Sequence, residues 1–95
     1  MTYDIDNNRK QELCDILAAN LPTLRTKANM SQRELSNRLG FSRQTISAIE
    51  GKKRDMQWST FSAIVLLLSK DSEVALMMAV MGILGDDVRE TLKIQ

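Results

Sequence analysis

Two short helices, each with its own start and stop signals, follow one another with only three residues between them, and this feature constrains the fold more than any other. The first is predicted over Gln32–Leu39, where Ser31 and Glu34 have the spacing of a capping box. In that motif the serine hydroxyl accepts a hydrogen bond from the glutamate amide, and the glutamate carboxylate reaches back to the serine amide. The helix should stop at Gly40, because glycine tolerates the left-handed turn in which many helices end.

The second helix is predicted over Arg43–Glu50, with Ser42 as its N-cap and Gly51 at its end. Phe41 fills the corner between the two helices, and Ser36 is small, as their closest approach requires. The apolar residues that face inward are Leu35, Leu39, Ile46 and Ile49. Two capped helices joined by a glycine turn form a helix-turn-helix, the arrangement that places its second helix in the major groove of DNA.

The side chains left on the outer face and first turn of the second helix are of types that read DNA bases. They are Arg43, Gln44, Thr45, Ser47 and Ala48. Arginine pairs with guanine through two hydrogen bonds and glutamine with adenine, serine and threonine bind bases or phosphates, and alanine can contact the thymine methyl group. We therefore predict that these five residues form a base-reading surface.

Positive charge is concentrated in the same region, although the net charge of the chain is only +1. Residues 25–54 hold eight basic and two acidic groups, whereas the segments on either side are acidic or neutral. Such an asymmetry is one footprint of nucleic-acid binding. Lys52, Lys53 and Arg54 follow the second helix directly, so we predict that they contact phosphates. Four other cations are open to either phosphate contact or a solvent-exposed position: Arg25, Lys27, Arg33 and Arg38.

The N-terminal third of the chain also predicts helix, because its apolar residues recur at spacings of three and four. This amphipathic pattern begins near Asn8 and continues to about Ala28. Pro22 interrupts it, and either kinks one long helix or opens a second one near Asn20.

Further helices are predicted over residues 58–69 and 73–84, with Gly85 as the C-cap of the latter and a last short turn through Leu92. The predicted fold is therefore all-α, a compact bundle of about five helices. We expect residues 1–95 to form a single domain, because a chain of this length has room for one modest core.

The helix predicted over residues 73–84 is apolar nearly all round, and such a helix is normally buried on every side. Its apolar members are Val74, Leu76, Met77, Val80, Met81, Ile83 and Leu84. Four short helices offer limited core, so we predict that a second copy of the chain covers this helix and that it is a dimerisation element. The alternative is that the last turn folds back over it, through Val88, Leu92 and Ile94.

Several classes of function are excluded by what the chain lacks. It has no histidine, which removes histidine-based acid–base catalysis and histidine-ligated metal sites. A single cysteine, Cys14, cannot form an intrachain disulfide or a thiolate cluster, which fits the cytoplasm. The longest apolar run has 11 residues and the N-terminus has no signal-peptide core. We expect a cytoplasmic protein that is not an enzyme, with no cofactor, no metal, no membrane contact and no small-molecule substrate.

The segment from Leu21 to about Leu68 resembles the DNA-binding domain of Xre/Cro-repressor-type helix-turn-helix proteins. The resemblance rests on the combined spacing of LR at 24–25, SQREL at 31–35, LGFSRQTIS at 39–47 and IEGKKR at 49–54. It implies a lambda-repressor-like bundle that binds operator DNA, commonly as a dimer. It also implies that Gln32 supports a phosphate contact and orients the recognition helix, that Glu50 is structural, and that base reading falls on the five residues already named.

The sequence departs from this family pattern at two places. The family often has a glycine two residues after the acid that corresponds to Glu50, whereas here Gly51 follows at once and Lys52 takes the usual glycine position. Ser36 lies where alanine is commoner.

Taken together, these patterns predict a sequence-specific DNA-binding transcriptional regulator. We expect a repressor of phage, mobile-element or antitoxin type that binds a palindromic operator on double-stranded DNA as a homodimer. The alternative function is a protein-interaction module or antitoxin, which would use the apolar C-terminal helix to bind a protein such as a toxin.

Overall fold

The computed structural model describes residues 4–94, and this part of the chain consists of α-helices and their connections, without any strand. The helices are α1 (Asn7–Lys27), α2 (Gln32–Leu39), α3 (Arg43–Glu50), α4 (Trp58–Leu68), α5 (Ser72–Val80) and α6 (Asp86–Leu92). The predicted all-α class is confirmed. The described residues form six helices rather than about five, because the segment predicted as a last short turn is a helix of its own.

Pro22 lies inside α1, which is one helix and not two. The helix begins after Asp6, whose carboxylate accepts a hydrogen bond from a first-turn amide at 2.8 Å. Proline has no N–H to donate along the helix, a loss that usually breaks it. Here Leu17, Leu21 and Leu24 are completely buried on either side of the proline, and their packing holds the backbone in register.

Both helices of the predicted helix-turn-helix have the predicted bounds and caps. The amide of Glu34 donates to Oγ of Ser31 at 3.0 Å, and the amide of Ser31 donates to Oε1 of Glu34 at 3.1 Å, which completes the capping box. α2 ends at Gly40 with a φ of +75°, and the amide of Phe41 then donates to the carbonyl of Ser36 at 2.9 Å. This left-handed turn lets α3 begin at Arg43, three residues after Gly40.

The inward-facing residues of α2 and α3 are also those predicted. Leu35, Ile46 and Ile49 are buried, and Leu39 and Phe41 pack against the same core while partly exposed. Ser36 is buried as well, and its Oγ donates to the carbonyl of Arg33 at 2.8 Å, so the small side chain at this helix contact is also satisfied in hydrogen bonding.

The helix predicted over residues 73–84 is wrong at its C-terminal end, because α5 spans Ser72–Val80. Gly82 adopts a φ of +84° and the amide of Ile83 donates to the carbonyl of Met78 at 2.9 Å. This left-handed turn ends the helix and directs Ile83 and Leu84 into the core, where both are buried.

Gly85 was predicted to cap the end of that helix and instead lies at the N-cap of α6. α6 packs back on the bundle, since Val88 is buried and Leu92 and Ile94 are partly buried against the core. The C-terminal segment therefore folds back on the core, as the alternative requires, but it does not cover all of α5. The side chains of Leu76 and Val80 are 67% and 82% exposed.

α1 is the centre of the bundle, because it packs against α3, α4 and α5, while α2 packs against α3. Two polar or aromatic contacts fasten its N-terminal end. Nε of Arg9 lies 3.1 Å from Oδ2 of Asp87 in α6, and Nζ of Lys10 lies 5.5 Å from the ring centroid of Trp58, which stacks on Phe61. α3 packs against α1 and α2 on one side, and its opposite side faces away from the core.

Candidate nucleic-acid interface

The side of α3 that faces away from the core carries the side chains predicted to read bases. Arg43, Gln44 and Ser47 are exposed, and Thr45 and Ala48 are partly buried. Ile46 and Ile49 occupy the buried side of the same helix. The structure therefore brings the five predicted residues together on one short helix, with three of them exposed.

A group of polar contacts fixes the first turn of α3. The amide of Thr45 donates to Oγ of Ser42 at 3.1 Å, and the two hydroxyl oxygens lie 2.9 Å apart. Nη1 of Arg54 donates to the Thr45 hydroxyl in a longer hydrogen bond of 3.4 Å. The Thr45 hydroxyl is therefore engaged with two protein groups, whereas Arg43 and Gln44 form no such side-chain bond within residues 4–94.

The other end of α3 is held by an ion pair between α1 and α3. Nε of Arg25 lies 2.9 Å from Oε2 of Glu50, and Nη2 of Arg25 donates to Oε1 at 3.1 Å. The guanidinium therefore binds the carboxylate in a bidentate ion pair. Nη1 of Arg25 also donates to the carbonyl of Met30 at 3.0 Å. The Glu50 side chain is only 7% exposed. Arg25, for which phosphate contact or a solvent-exposed position was predicted, thus has neither role and joins three segments instead.

Gln32 contacts the same carboxylate. Its Nε2 donates to Oε1 of Glu50 at 2.9 Å, so that the first residue of α2 is tied to the last residue of α3. An amide has a second N–H and a carbonyl oxygen, which leaves Gln32 with capacity for another ligand. This geometry agrees with the structural role that the family resemblance implies for Glu50.

The loop after α3 turns at Lys52, in the position where the family often has glycine. Lys52 has a φ of +59°, its amide donates to the carbonyl of Ile49, and the amide of Lys53 donates to the carbonyl of Ala48. These bonds form a Schellman motif, the C-terminal cap usually completed by glycine. The departure noted in the sequence therefore leaves the turn in place, with a lysine held in a conformation that disfavours side chains.

Unpaired positive charge borders the outer face of α3 at both ends. Arg43 lies at its start and Lys52 and Lys53 follow its end, and all three are exposed. Over the part of the chain that the structure describes, none of these three side chains forms an ion pair. Cations that are already accessible and unpaired can neutralise phosphates without first breaking a contact.

A family model described as a helix-turn-helix domain matches residues 18–81, which is more than half of the chain. The chain belongs to this helix-turn-helix family. Neither the curated proteins nor the solved structures gave a significant match. Membership of a helix-turn-helix family indicates a DNA-binding regulator. The matched region contains α2, α3, the basic loop formed by Lys52, Lys53 and Arg54, and the Arg25–Glu50 ion pair.

Two contacts of this helix-turn-helix protein escaped the sequence analysis. Arg25 and Glu50 are 25 positions apart in different helices, and only the packing of α1 on α3 brings them together. The Arg54–Thr45 contact depends in the same way on the path of the loop. Opposite charges at Arg25 and Glu50 were visible in the sequence, but no periodic spacing links them.

Three further observations concern possible metal ligands, the cysteine thiol and membrane-spanning helices. No group of three or more histidine, cysteine, aspartate or glutamate side chains within residues 4–94 is placed to hold a metal ion. Burial, together with the charge of the neighbouring Asp15, raises the pKa of the Cys14 thiol from its ordinary value to about 11. In the same residues, no helix combines the length and the apolar character that a membrane span requires.

Proposed function

We propose that this helix-turn-helix protein is a sequence-specific transcriptional regulator of the Xre/Cro type, a cytoplasmic repressor that binds a palindromic operator as a dimer. Residues 1–95 act as one domain whose DNA-binding core covers residues 21–68. The observation that carries the proposal is the outer face of α3, which presents accessible base-reading side chains between unpaired cations. The opposite side of the same helix is locked by buried leucine and isoleucine side chains and by Glu50.

In this proposal the outer face of α3 enters the major groove. Arg43 pairs with a guanine and Gln44 with an adenine, the pairings that suit their donors and acceptors. Ser47 binds a base edge further along the helix, and Thr45 and Ala48 contact bases at the margins. The exposure of Arg43, Gln44 and Ser47 supports giving them the central positions.

Phosphate contacts flank the base contacts. Lys52 and Lys53 bind the backbone beyond the end of α3, and Gln32 binds it with the N–H that Glu50 does not use. Arg54 carries a charge of the same sign in the same loop, and its side chain differs from the lysines in contacting Thr45.

Dimerisation places two recognition helices about 34 Å apart, roughly one turn of DNA, so that a palindromic site is read twice. The exposed side chains of Leu76 and Val80 support α5 as the surface that joins the two copies. Each apolar side chain hidden from water contributes about 1.5–3 kcal/mol. Met78, on the same helix, is completely buried and belongs to the monomer core.

The test is selection of bound sequences from a pool of random duplexes, followed by a salt titration of the selected duplex and a scrambled one. We expect a palindromic consensus and an affinity that falls steeply with salt, with a slope of about 0.9 per phosphate contact. A pool that yields no consensus would contradict sequence-specific binding.

A second candidate function is binding of another protein, such as a toxin, and the same exposed apolar side chains of α5 favour it. An antitoxin that represses its own operon would combine both functions. Salt separates the candidates, because a pure protein-interaction module would show no steep, salt-dependent binding to duplex DNA.

A further inference from the structure

Arg54 lies against the recognition helix instead of extending freely from the basic loop. Its Nη1 reaches the Thr45 hydroxyl, and both residues line a groove of about 170 Å³ beside α3 that also includes Phe41 and Gln57. Lys53, its neighbour in the loop, has no side-chain hydrogen bond or ion pair within the described residues. The two cations of one loop therefore have different surroundings.

The Thr45 hydroxyl has two partners within the protein. Ser42 Oγ lies 2.9 Å from the Thr45 hydroxyl and also accepts a hydrogen bond from the Thr45 amide, and Arg54 donates to the same hydroxyl at 3.4 Å. Threonine carries a hydroxyl and a methyl group on the same carbon, and its χ1 angle has few accessible states. Engaging the hydroxyl within the protein therefore leaves the methyl group as the part of Thr45 available to another molecule.

We propose that Thr45 reads DNA through its methyl group, by apolar contact with the methyl group of a thymine, and that Arg54 is a positioning residue that keeps Thr45 in this orientation. The inference rests on the proposed function, because it assumes that α3 lies in the major groove. The thymine C5-methyl group is exposed there, and threonine methyl groups are among its suitable contacts.

The test uses the duplex selected from the random pool and replaces each thymine in turn by deoxyuridine, which removes only the methyl group. For the wild-type protein we expect one thymine in each half-site at which this change weakens binding by about fourfold, the effect of one buried methyl group. Thr45→Ser lacks the methyl group and should bind the thymine duplex and the deoxyuridine duplex equally. Arg54→Ala should lose part of the discrimination, because Ser42 is then the only remaining partner of the Thr45 hydroxyl.

Lys53→Ala is the matched control, since it removes a cation from the same loop without a contact to α3. It should weaken binding to every duplex by the same factor and keep the discrimination against deoxyuridine. Melting temperatures close to that of the wild type would show that Arg54→Ala and Thr45→Ser are folded.

The inference is overturned if Arg54→Ala weakens all duplexes equally and retains the deoxyuridine effect, because Arg54 is then a phosphate contact. It is also overturned if no deoxyuridine effect depends on Thr45. A wild-type protein that selects no sequence would instead contradict the proposed function itself, so the two failures are distinguishable.

Discussion

Lys52 has an unfavourable, left-handed backbone conformation that the rest of the fold keeps in place. Its left-handed φ of +59° closes the Schellman motif at the end of α3, a place where glycine would be free of strain. A left-handed conformation costs a residue with a side chain roughly 1–2 kcal/mol. In exchange, the turn carries a positive charge directly beside the recognition helix, where the proposed phosphate contact needs one.

Lys52→Gly should therefore stabilise the fold and weaken DNA binding. We expect the free energy of unfolding to rise by about 0.5–1 kcal/mol, because relief of the strain exceeds the larger entropy of glycine in the unfolded chain. The salt slope of duplex binding should fall by about 0.9, as for one lost phosphate contact. Urea denaturation and a salt titration measure the two effects.

Lys53→Gly is the control for this change, since Lys53 is not among the residues with a positive φ. Lys53→Gly removes the same charge without relieving strain. It should lower the free energy of unfolding, because glycine has a larger conformational entropy in the unfolded chain. Equal changes in stability for both variants would show that Lys52 carries no backbone strain.

Cys14 predicts a pH dependence of stability. Its thiol is buried in α1, and burial raises the pKa from 9.0 to about 11. The folded state therefore holds the proton more tightly than the unfolded state. Stability is unaffected by this group below pH 9 and declines as the pH rises from about 9 to about 11. Urea denaturation across this range should show a decline for the wild type that is smaller in Cys14→Ala, and parallel curves would contradict the assignment.

At the scale of elements, the Arg25–Glu50 ion pair converts three packed helices into one unit. It ties α1 to the end of α3, and Gln32 adds the start of α2 to the same carboxylate. The bounds and caps of α2 and α3 were predictable from the sequence, because capping boxes and glycine turns are local. The ion pair was not, because it depends on how distant helices pack.

Arg25→Ala should destabilise the fold by about 2–4 kcal/mol, somewhat below the usual cost for a fully buried pair because Arg25 retains some solvent contact. The loss leaves the Glu50 carboxylate largely buried without its cation. Lys27→Ala, two residues further along α1, is the matched control. Its ion pair with Glu73 measures 3.0 Å, but the side chains are 49% and 72% exposed, so we expect a loss of at most about 1 kcal/mol. Urea denaturation of both variants tests the difference, and similar losses would show that Arg25 is only a surface charge.

The C-terminal end of α5 was predicted wrongly from the local sequence pattern. An uninterrupted apolar run over residues 74–84 predicted one helix, yet Gly82 turns the chain and separates α5 from the segment that enters the core. Hydrophobicity alone does not distinguish a continuous apolar helix from an apolar helix followed by a turn whose next residues, Ile83 and Leu84, are buried in the core. The consequence is that the uncovered surface is smaller than predicted and includes Leu76 and Val80.

At the scale of the whole molecule, the exposed apolar surface of α5 around Leu76 and Val80 is the proposed interface of a dimer. Leu76→Asp and Val80→Asp each place a charge where the proposed dimer buries apolar surface, so each should yield a monomer that keeps the helical circular dichroism of the wild type. Thr91→Asp, on the exposed side of α6, is the control and should remain dimeric. Sedimentation velocity at tens of micromolar distinguishes the species. Dimers of both α5 variants would place the interface elsewhere.

The all-α class and the bounds of α2 and α3 could be predicted from the sequence because the helix-turn-helix is encoded within 20 residues by caps, glycine and apolar spacing. The five predicted base readers lie on one helix, although the contact of Thr45 with Arg54, nine positions further along the chain, is one that no linear pattern indicates. Contacts between distant segments remained beyond the sequence because side-chain partners across the bundle depend on the packing of whole helices.

The most direct test of the central claim is the affinity of Gln44→Ala for the selected duplex and for a scrambled duplex of the same length. Gln44 is exposed on the outer face of α3 and supports no other part of the fold. We predict that the variant binds the selected duplex less tightly by about 1–3 kcal/mol and the scrambled duplex as tightly as the wild type does. Equal losses on both duplexes, or no loss on either, would contradict the claim that this face of α3 reads the sequence of DNA.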